Sequence, residues 1–408
     1  MVDLMVSEQQ SGTAGKGVPA GWIQCKLGDV LTLQRGFDLP QRLRKEGNIP
    51  IISSSGESGW HDNAIVSPPG VVTGRYGTIG EVFFIDRPFW PLNTTLYVRE
   101  FNGITPFYAY FLLKTVDFQS HSGKSGVPGV NRNDVHQENI LLPPIKEQIA
   151  ITTTLSNIDE LISALERLLS KKQAIKTATM QQLLTGKTRL PQFAMWEDGT
   201  TKGYKKSELG DIPEDWEISK IGELSHVDPE NIPSSTSPTY EFDYISLEQI
   251  DRGVLLETTR LFFSDAPSRA RRLLRCNDVM VSTVRPNLKS HYLVAHEVSD
   301  LICSTGFSVI RCDMDQLHPN FLYQHLFAAS INEQIDMLIS GSNYPAINSD
   351  NVKGLMVPIC SVPEQTAIAT ILSDMDKDIQ TLQQRLDKTR QLKQGMMQEL
   401  LTGKTRLI

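Results

Sequence analysis

Apolar side chains at Ile151, Leu155, Ile158, Ile162, Leu165 and Leu169 recur in alternating steps of four and three. Ile368, Leu372, Met375, Ile379, Leu382 and Leu386 repeat those steps later in the chain. This spacing predicts one apolar stripe along each of two helices. A helix packed on its own domain's core and a helix-helix seam both need such a stripe; the lack of a third apolar column favours the seam. After Leu169 the pattern gives way to Lys171, Lys172 and Lys176. Elsewhere the apolar runs are short and β-rich. In the first half they include Ile49-Pro-Ile-Ile, Gly70-Val-Val-Thr, Glu81-Val-Phe-Phe-Ile and Thr95-Leu-Tyr-Val, with a short helix predicted over Pro106 to Thr115. In the second they include Val279-Met-Val-Ser-Thr-Val, Tyr292-Leu-Val-Ala and Phe307-Ser-Val-Ile-Arg, with a helix predicted from about Pro319 to Leu338. Gly, Pro and Asn punctuate the strands, so each body reads as α/β.

The stripes belong to a longer repeat. With Glu147-Gln148 laid over Glu364-Gln365, the chain matches itself without a gap as far as Leu190 over Leu407, about half the positions being identical. A second match sets Pro19, Trp22, Lys26 and Gly28 over Pro213, Trp216, Lys220 and Gly222. The chain is therefore two copies of one plan, with a shared opening, a divergent body and a shared helical exit. Each exit ends in LLTGKTRL, and the GKT suggests a phosphate loop. The glycine needed five residues earlier is replaced by Gln181 and Gln398, and helix formers precede it where a strand and loop are required. Gly186 and Gly403 instead suit the left-handed position that stops a helix. The resulting organisation is a flexible tail over 1–17, a first body over 18–145, a spacer helix over 146–185, and a linker over 186–211. A second body over 212–358 and a C-terminal spacer helix and tail over 359–408 follow. Two copies related by an approximate two-fold would set equivalent helices antiparallel, as a ruler holding two α/β bodies apart.

Composition narrows the class. The 408 residues suffice for two or three domains, and no run of eighteen apolar residues or secretory leader is present, so a cytoplasmic protein is expected. Five scattered cysteines, with no C-x-x-C, read as reduced thiols. Eight histidines without ligand spacing predict no metal site. The net charge of −7 does not exclude DNA binding, because DNA responds to local basic surface.

The W-x-x-x-x-L/I-G opening at Trp22 and Trp216, the PPIKEQIAITTTLSNID exit and the repeated LLTGKTRL resemble the specificity (S) subunits of type I restriction-modification systems, over nearly the whole chain. GRYGTIGEV, STVRPNL and SGSNYPAIN add to the resemblance. It implies two target-recognition domains separated by two long helices forming an antiparallel coiled coil, with an internal pseudo-two-fold repeat. It also implies a non-catalytic chain that reads a bipartite, asymmetric target on double-stranded DNA. Such a chain docks two methyltransferase (M) subunits, which carry S-adenosylmethionine and methylate adenine N6, and through the complex the restriction (R) subunits, which use ATP. No cofactor is implied in this chain. Consistently, it holds no Asn-Pro-Pro-Tyr or Asp-Pro-Pro-Tyr motif and no glycine-rich cofactor loop. A fused methylase-nuclease would need both. A paired-domain scaffold binding protein rather than DNA has only the acidic net charge in its favour.

Candidate DNA contacts follow from residue chemistry. Arg75 and Tyr76 lie between glycines in a turn joining two strands, where Arg75 can reach a base edge or instead pair with a carboxylate. Arg35, Arg42, Arg44, Lys45 and Lys124 are assigned chiefly to phosphates. In the second body Arg269, Arg271, Arg272 and Arg275 cluster, followed by Arg285, Asn287, Lys289 and His291. Arg285 and Asn287 suit guanine and adenine edges, or can hold a loop together. Tyr344 is a body-specific loop residue, whereas Asn131 and Asn348 read as helix caps.

Overall fold

The computed structural model describes residues 18–122, 129–339 and 345–407. The chain divides into two compact units, one of Met1–Glu166 with Gln384–Ile408 and the other of Arg167–Gln383.

In the first unit, strands Leu31–Arg35, Thr95–Phe101, Gly70–Gly74 and Val82–Ile85 form one antiparallel sheet in that spatial order. Gly70–Gly74 is buried along its whole length, so Val71 and Val72 stand side by side rather than alternating with exposed residues, and the buried Thr73 hydroxyl donates to the Glu81 carbonyl. Gly56–His61, Ile49–Ser53 and Trp90–Pro91 form a second, smaller sheet. The short helix Pro106–Leu113 starts with proline at its first turn, and Thr105 caps it by accepting from the Tyr108 N–H.

The second unit has two four-stranded sheets. One runs Ser225–Val227, Phe307–Cys312, Val279–Ser282, Tyr292–Leu293; the other runs Thr259–Phe262, Glu241–Ile245, Leu301–Ser304, Ala270–Leu273. The sequence pattern suggested α/β bodies. The bodies are mixed helix-and-sheet arrangements: of the pairings between named strands, only Glu241–Ile245 with Leu301–Ser304 and Ile49–Ser53 with Trp90–Pro91 are parallel. Where paired strands follow one another in the chain, as Ile49–Ser53 and Gly56–His61 do, a turn joins them, and antiparallel pairing needs nothing longer.

The repeated exits form helices Ile145–Leu183 and Val362–Leu400. Each starts in one unit and finishes in the other. Within the first unit, Asp159 pairs with Lys393 and Glu166 with Arg390, at 2.5 and 2.6 Å. Within the second, Lys172 pairs with Asp378 and Lys176 with Asp376, at 3.0 and 2.5 Å. In both units residue numbers rise along one helix as they fall along the other. Of the twelve stripe residues, Ile151, Leu155, Leu165, Leu169, Ile368, Leu372 and Leu386 are buried, and Ile158, Ile162, Met375, Ile379 and Leu382 are half-buried. Ile151 and Leu155 join the first unit's core around Trp22, and Ile368 and Leu372 join the second unit's core around Trp216. The opening turns of each stripe thus pack on their own body, as the alternative reading of a single apolar column allows.

Both helices stop at LLTG. Gly186 and Gly403 adopt φ of 68° and 70°. A β-carbon on Gly186 would come within 2.4 Å of Pro213 Cγ, and one on Gly403 within 2.5 Å of Pro19 Cγ, so these sites require glycine for both backbone and space. Residues 186–211, expected as a linker, hold a short turn at Pro191–Phe193 and then Tyr204–Ser207, which pairs with Gly210–Pro213.

One buried group has a testable cost. His325 is fully buried and neither ring nitrogen has a hydrogen-bond partner among the described residues. Burial pushes its pKa down from 6.5 to about 3. Above pH 6.5 the imidazole is neutral whether the chain is folded or not. Below it the unfolded chain takes up a proton that the folded chain refuses, so stability falls as pH drops toward 3. The matching residue of the first unit is Leu112, because Thr105 N–H and His318 N–H donate equivalently, at 2.8 Å, to Gln148 and Gln365. His325→Leu is therefore expected to fit, and to flatten the acid limb. Urea titrations at pH 7 and pH 5 should show the variant's advantage growing by about 2 kcal/mol between them.

Candidate nucleic-acid interface

The two bodies are framed by the same set of contacts. In the first unit the Trp22 indole N–H donates to Glu147 at 2.9 Å. Arg406 donates to the same carboxylate at 2.5 and 2.7 Å, and lies 5.8 Å from the Trp22 ring centroid. The Arg406 hydrogen bonds hold the Glu147 carboxyl below its ordinary pKa, against burial and with help from Trp22. In the second unit Trp216 donates to Glu364 at 3.3 Å, and Arg189 donates to Glu364 through two nitrogens at 2.7 and 2.8 Å. Arg189 also bridges to Asp215 at 2.8 and 3.1 Å, and Lys202 joins Asp215 at 2.8 Å. Asp215 has no counterpart in the first unit, where Gly21 stands and Arg406 turns instead to the Ala20 carbonyl. The neighbouring glutamines close each frame: Gln148 donates to the Gly103 and Pro143 carbonyls, and Gln365 to those of Gln316 and Cys360. These roles were missed in the sequence, although the identical Glu-Gln and Thr-Arg-Leu in both copies were the available signal.

On this frame the first body presents Arg75 and Tyr76 in the loop between strands Gly70–Gly74 and Val82–Ile85. Their amides donate to the Thr94 carbonyl, and the Arg75 guanidinium lies 4.4 Å from the Tyr76 ring centroid. No carboxylate among the described residues pairs with Arg75, so the ion-paired alternative is not what holds it. Arg35, in contrast, is bound to Asp38 at 3.1 Å, and Lys45 stands 3.8 Å from Asp62. Both pairs are exposed enough to open to a phosphate at small cost. Arg44 donates to the Leu39 carbonyl. Lys124 and Tyr344 lie outside the described residues.

In the second body the arginine cluster splits. Arg272 pairs with Asp228 at 2.9 Å, largely out of water, and is a structural cation; Arg275 pairs with Glu230 at 2.6 Å but stays exposed, so its pair can open as that of Arg35 can. Arg269 is exposed, and Arg271 caps its neighbour's carbonyl and lies 5.0 Å from the Phe263 ring centroid. Arg285 and Asn287 are exposed at the turn Pro286–Leu288, with the Arg285 amide donating to Pro345. Lys289 ends that turn. His291 does not extend the basic surface as expected: it is buried, accepts from the Ser282 N–H at 3.2 Å, and is driven neutral by burial, with a pKa of about 3. Asn131 and Asn348 cap helices Arg132–Val135 and Ser349–Gly354, as their positions suggested.

Among the described residues, no helix is long and apolar enough to cross a membrane, and no cluster of three or more His, Cys, Asp or Glu could hold a metal ion.

The comparisons with known proteins agree with this architecture. Relatives include the MjaVIII specificity subunit of Methanocaldococcus jannaschii, 24% identical over 74% of this chain and 70% of that protein. Another is the EcoDI specificity subunit of Escherichia coli, 20% identical over 95% of this chain and 88% of that protein. Both are named as type I restriction enzyme subunits. The fold is similar to the crystal structure of a type I restriction-modification S subunit from M. genitalium, with a TM-score of 0.61 at 15% identity, covering 95% of this chain and 98% of that one. A chain from a structural study of type I complex assembly matches with a TM-score of 0.52 at 17% identity, covering 94% and 98% of the two chains. Residues 19–177 and 213–390 each match the type I restriction modification DNA specificity domain, and with most of its length so matched the chain belongs to that family, as a two-domain specificity subunit.

Proposed function

We propose that this chain is the DNA reader of a type I restriction-modification complex, that it reads a bipartite, asymmetric target on double-stranded DNA, and that it carries out no chemistry itself. The observation carrying this reading is the duplicated specificity domain, whose two copies share their frames and differ in their bodies. Identical half-sites would be read by identical bodies; divergent ones call for two different half-sites. The two long helices are read as an antiparallel coiled coil with pseudo-two-fold symmetry. The recurrence in each unit of a Trp, a Glu, an Arg and an inter-helix Lys–Asp pair supports this. Their surfaces would dock two M subunits, which supply S-adenosylmethionine, with R subunits and their ATP joining through the complex, in the cytoplasm. Arg75, with Tyr76 against it, is assigned to a base edge in the first half-site. Arg285 and Asn287 are assigned to the second, and Arg35, Arg271 and Lys289 to phosphates.

Exchanging residues 212–358 for the second body of another specificity subunit tests the assignment. Genome-wide mapping of methylated adenines in cells carrying the chimaera and its M subunits is expected to show one half of the target changed and the other retained. A chimaera that methylates the original target in full would refute it.

A further inference from the structure

A cavity of about 530 Å³ lies wholly within the second unit, between the last turns of helix Ile145–Leu183, the stretch around Tyr323 to Ser330, and two loops. Its size is that of a small-molecule site. Met180, Leu184 and Ile379 supply apolar lining, and Tyr323 and Phe327 an aromatic wall, their rings edge-on with centroids 5.2 Å apart. The charged lining is unbalanced. Lys176 and Asp376 neutralise each other at 2.5 Å, with Gln324 also donating to Asp376. Arg252 and Lys289 remain, and neither pairs with a carboxylate among the described residues.

The backbone under those two cations is unusual. Arg252, at φ 44°, and Gly253, at φ 92°, form the two-residue turn between strands Ile250–Asp251 and Val254–Leu255. Such turns favour Asn-Gly, since both residues need positive φ. Lys289 ends its turn at φ 56° and ψ 37°, again a place that suits Gly or Asn. A long side chain in the left-handed region costs about 1–2 kcal/mol at each position. Of the three described cations at positive φ, Arg252 and Lys289 line one cavity, while Arg285, at the start of the Lys289 turn, does not. Backbone strain retained at convergent residues is a mark of a ligand site.

The first unit differs at the matching place. Lys114 corresponds to Phe327, and its ammonium sits 4.2 Å from the ring centroid of Tyr110, the residue matching Tyr323. There the aromatic face is occupied by the chain's own cation.

We propose that the cavity binds a nucleotide-sized anion, its planar base against Tyr323 and Phe327 and its phosphate between Arg252 and Lys289. Thr177, Gln181 and Ser330, also in the lining, offer hydrogen bonds to the base or sugar. The proposal does not rest on the reading of duplex DNA, with which it shares Lys289 alone. The nucleotide is either free or part of a single strand, and the test separates the two.

Calorimetry on the full chain would compare adenosine 5′-monophosphate, inorganic phosphate, adenosine and a short oligodeoxyadenylate. The monophosphate is expected to bind at least about tenfold more tightly than phosphate or adenosine alone. The double variant Arg252→Asn and Lys289→Asn is expected to lose at least about tenfold in affinity, while its urea midpoint stays level or rises as the strain is relieved. A preference for the oligonucleotide over the monophosphate assigns the site to a nucleotide within a strand, and the reverse assigns it to a free nucleotide. Three results would overturn the proposal: no binding by the native chain, equal binding by the double variant, or phosphate binding as tightly as the monophosphate. A lowered midpoint in the double variant would remove the strain argument on which it stands.

Discussion

Deleting residues 396–408 is expected to unfold the first unit while the second stays native. Leu400 and Leu401 are buried in the first unit's core with Trp22, Ile151 and Leu155, although they stand at the far end of the sequence. Each buried leucine removed costs about 2–5 kcal/mol. The two together approach the whole stability of an ordinary domain, roughly 5–15 kcal/mol. The same deletion strips Arg406 from Glu147, leaving a buried carboxylate with only the Trp22 indole for a partner. The second unit, Arg167–Gln383, contains none of the deleted residues. Hydrogen exchange should therefore find amides of Leu96 and Val98 unprotected in the truncated chain and those of Val279 and Val281 as protected as before. Retained protection at Leu96 and Val98 would show that the first unit does not depend on the end of the second long helix.

Arg189→Ala carries the next largest expected effect. The Arg189 side chain is 6% exposed and Glu364 2%, so the pair is out of water. Removing one member of a buried pair leaves the other charged and uncompensated, at a cost of about 3–5 kcal/mol. Asp215 retains Lys202, so the loss concentrates at Glu364 and Trp216. Arg406→Ala should cost less, because the Arg406 side chain is 31% exposed and water can take its place. Replacing Arg189 with Met and Glu364 with Gln together should recover much of the loss, since neither residue then buries an unpaired charge. Urea denaturation of Arg189→Met, of Glu364→Gln and of the double variant gives the coupling directly. Additive losses would mean that Arg189 and Glu364 do not act as a pair.

What the sequence revealed, and what it hid, follows from the range of the interactions involved. The helix stops at Gly186 and Gly403, the caps at Asn131 and Asn348, and the turn holding Arg75 and Tyr76 depend on neighbours within a few residues, and local patterns expose them. The alternating steps from Ile151 and Ile368 revealed an apolar stripe but not what covers it. A stripe reports only that one face avoids water, so the sharing of Ile151 with Leu400 and of Ile368 with Met180 was invisible. Charge was the least legible property. Arg272 and Arg275 have the composition of a DNA-binding cluster, yet their partners Asp228 and Glu230 lie more than forty residues away, and only the fold turns the side chains toward them. His291 looked like one more cation and is a neutral core residue, because the fold encloses it, just before strand Tyr292–Leu293, against Ser282 and Phe327.

The placement of Arg406 on Glu147 and on the Ala20 carbonyl, across sequence separations of 259 and 386 residues, also sets an order of events at the ribosome. The body translated first cannot close its core until residues 384–408 have been made, whereas the second unit is complete once Gln383 has emerged. At roughly 5–20 residues per second, the earlier body waits on the order of ten to fifty seconds. During that time the surface destined for Leu400 and Leu401 faces water and competes for other apolar partners. Vectorial synthesis thus makes the N-terminal body the last to mature, and nascent-chain chaperones should hold it longest.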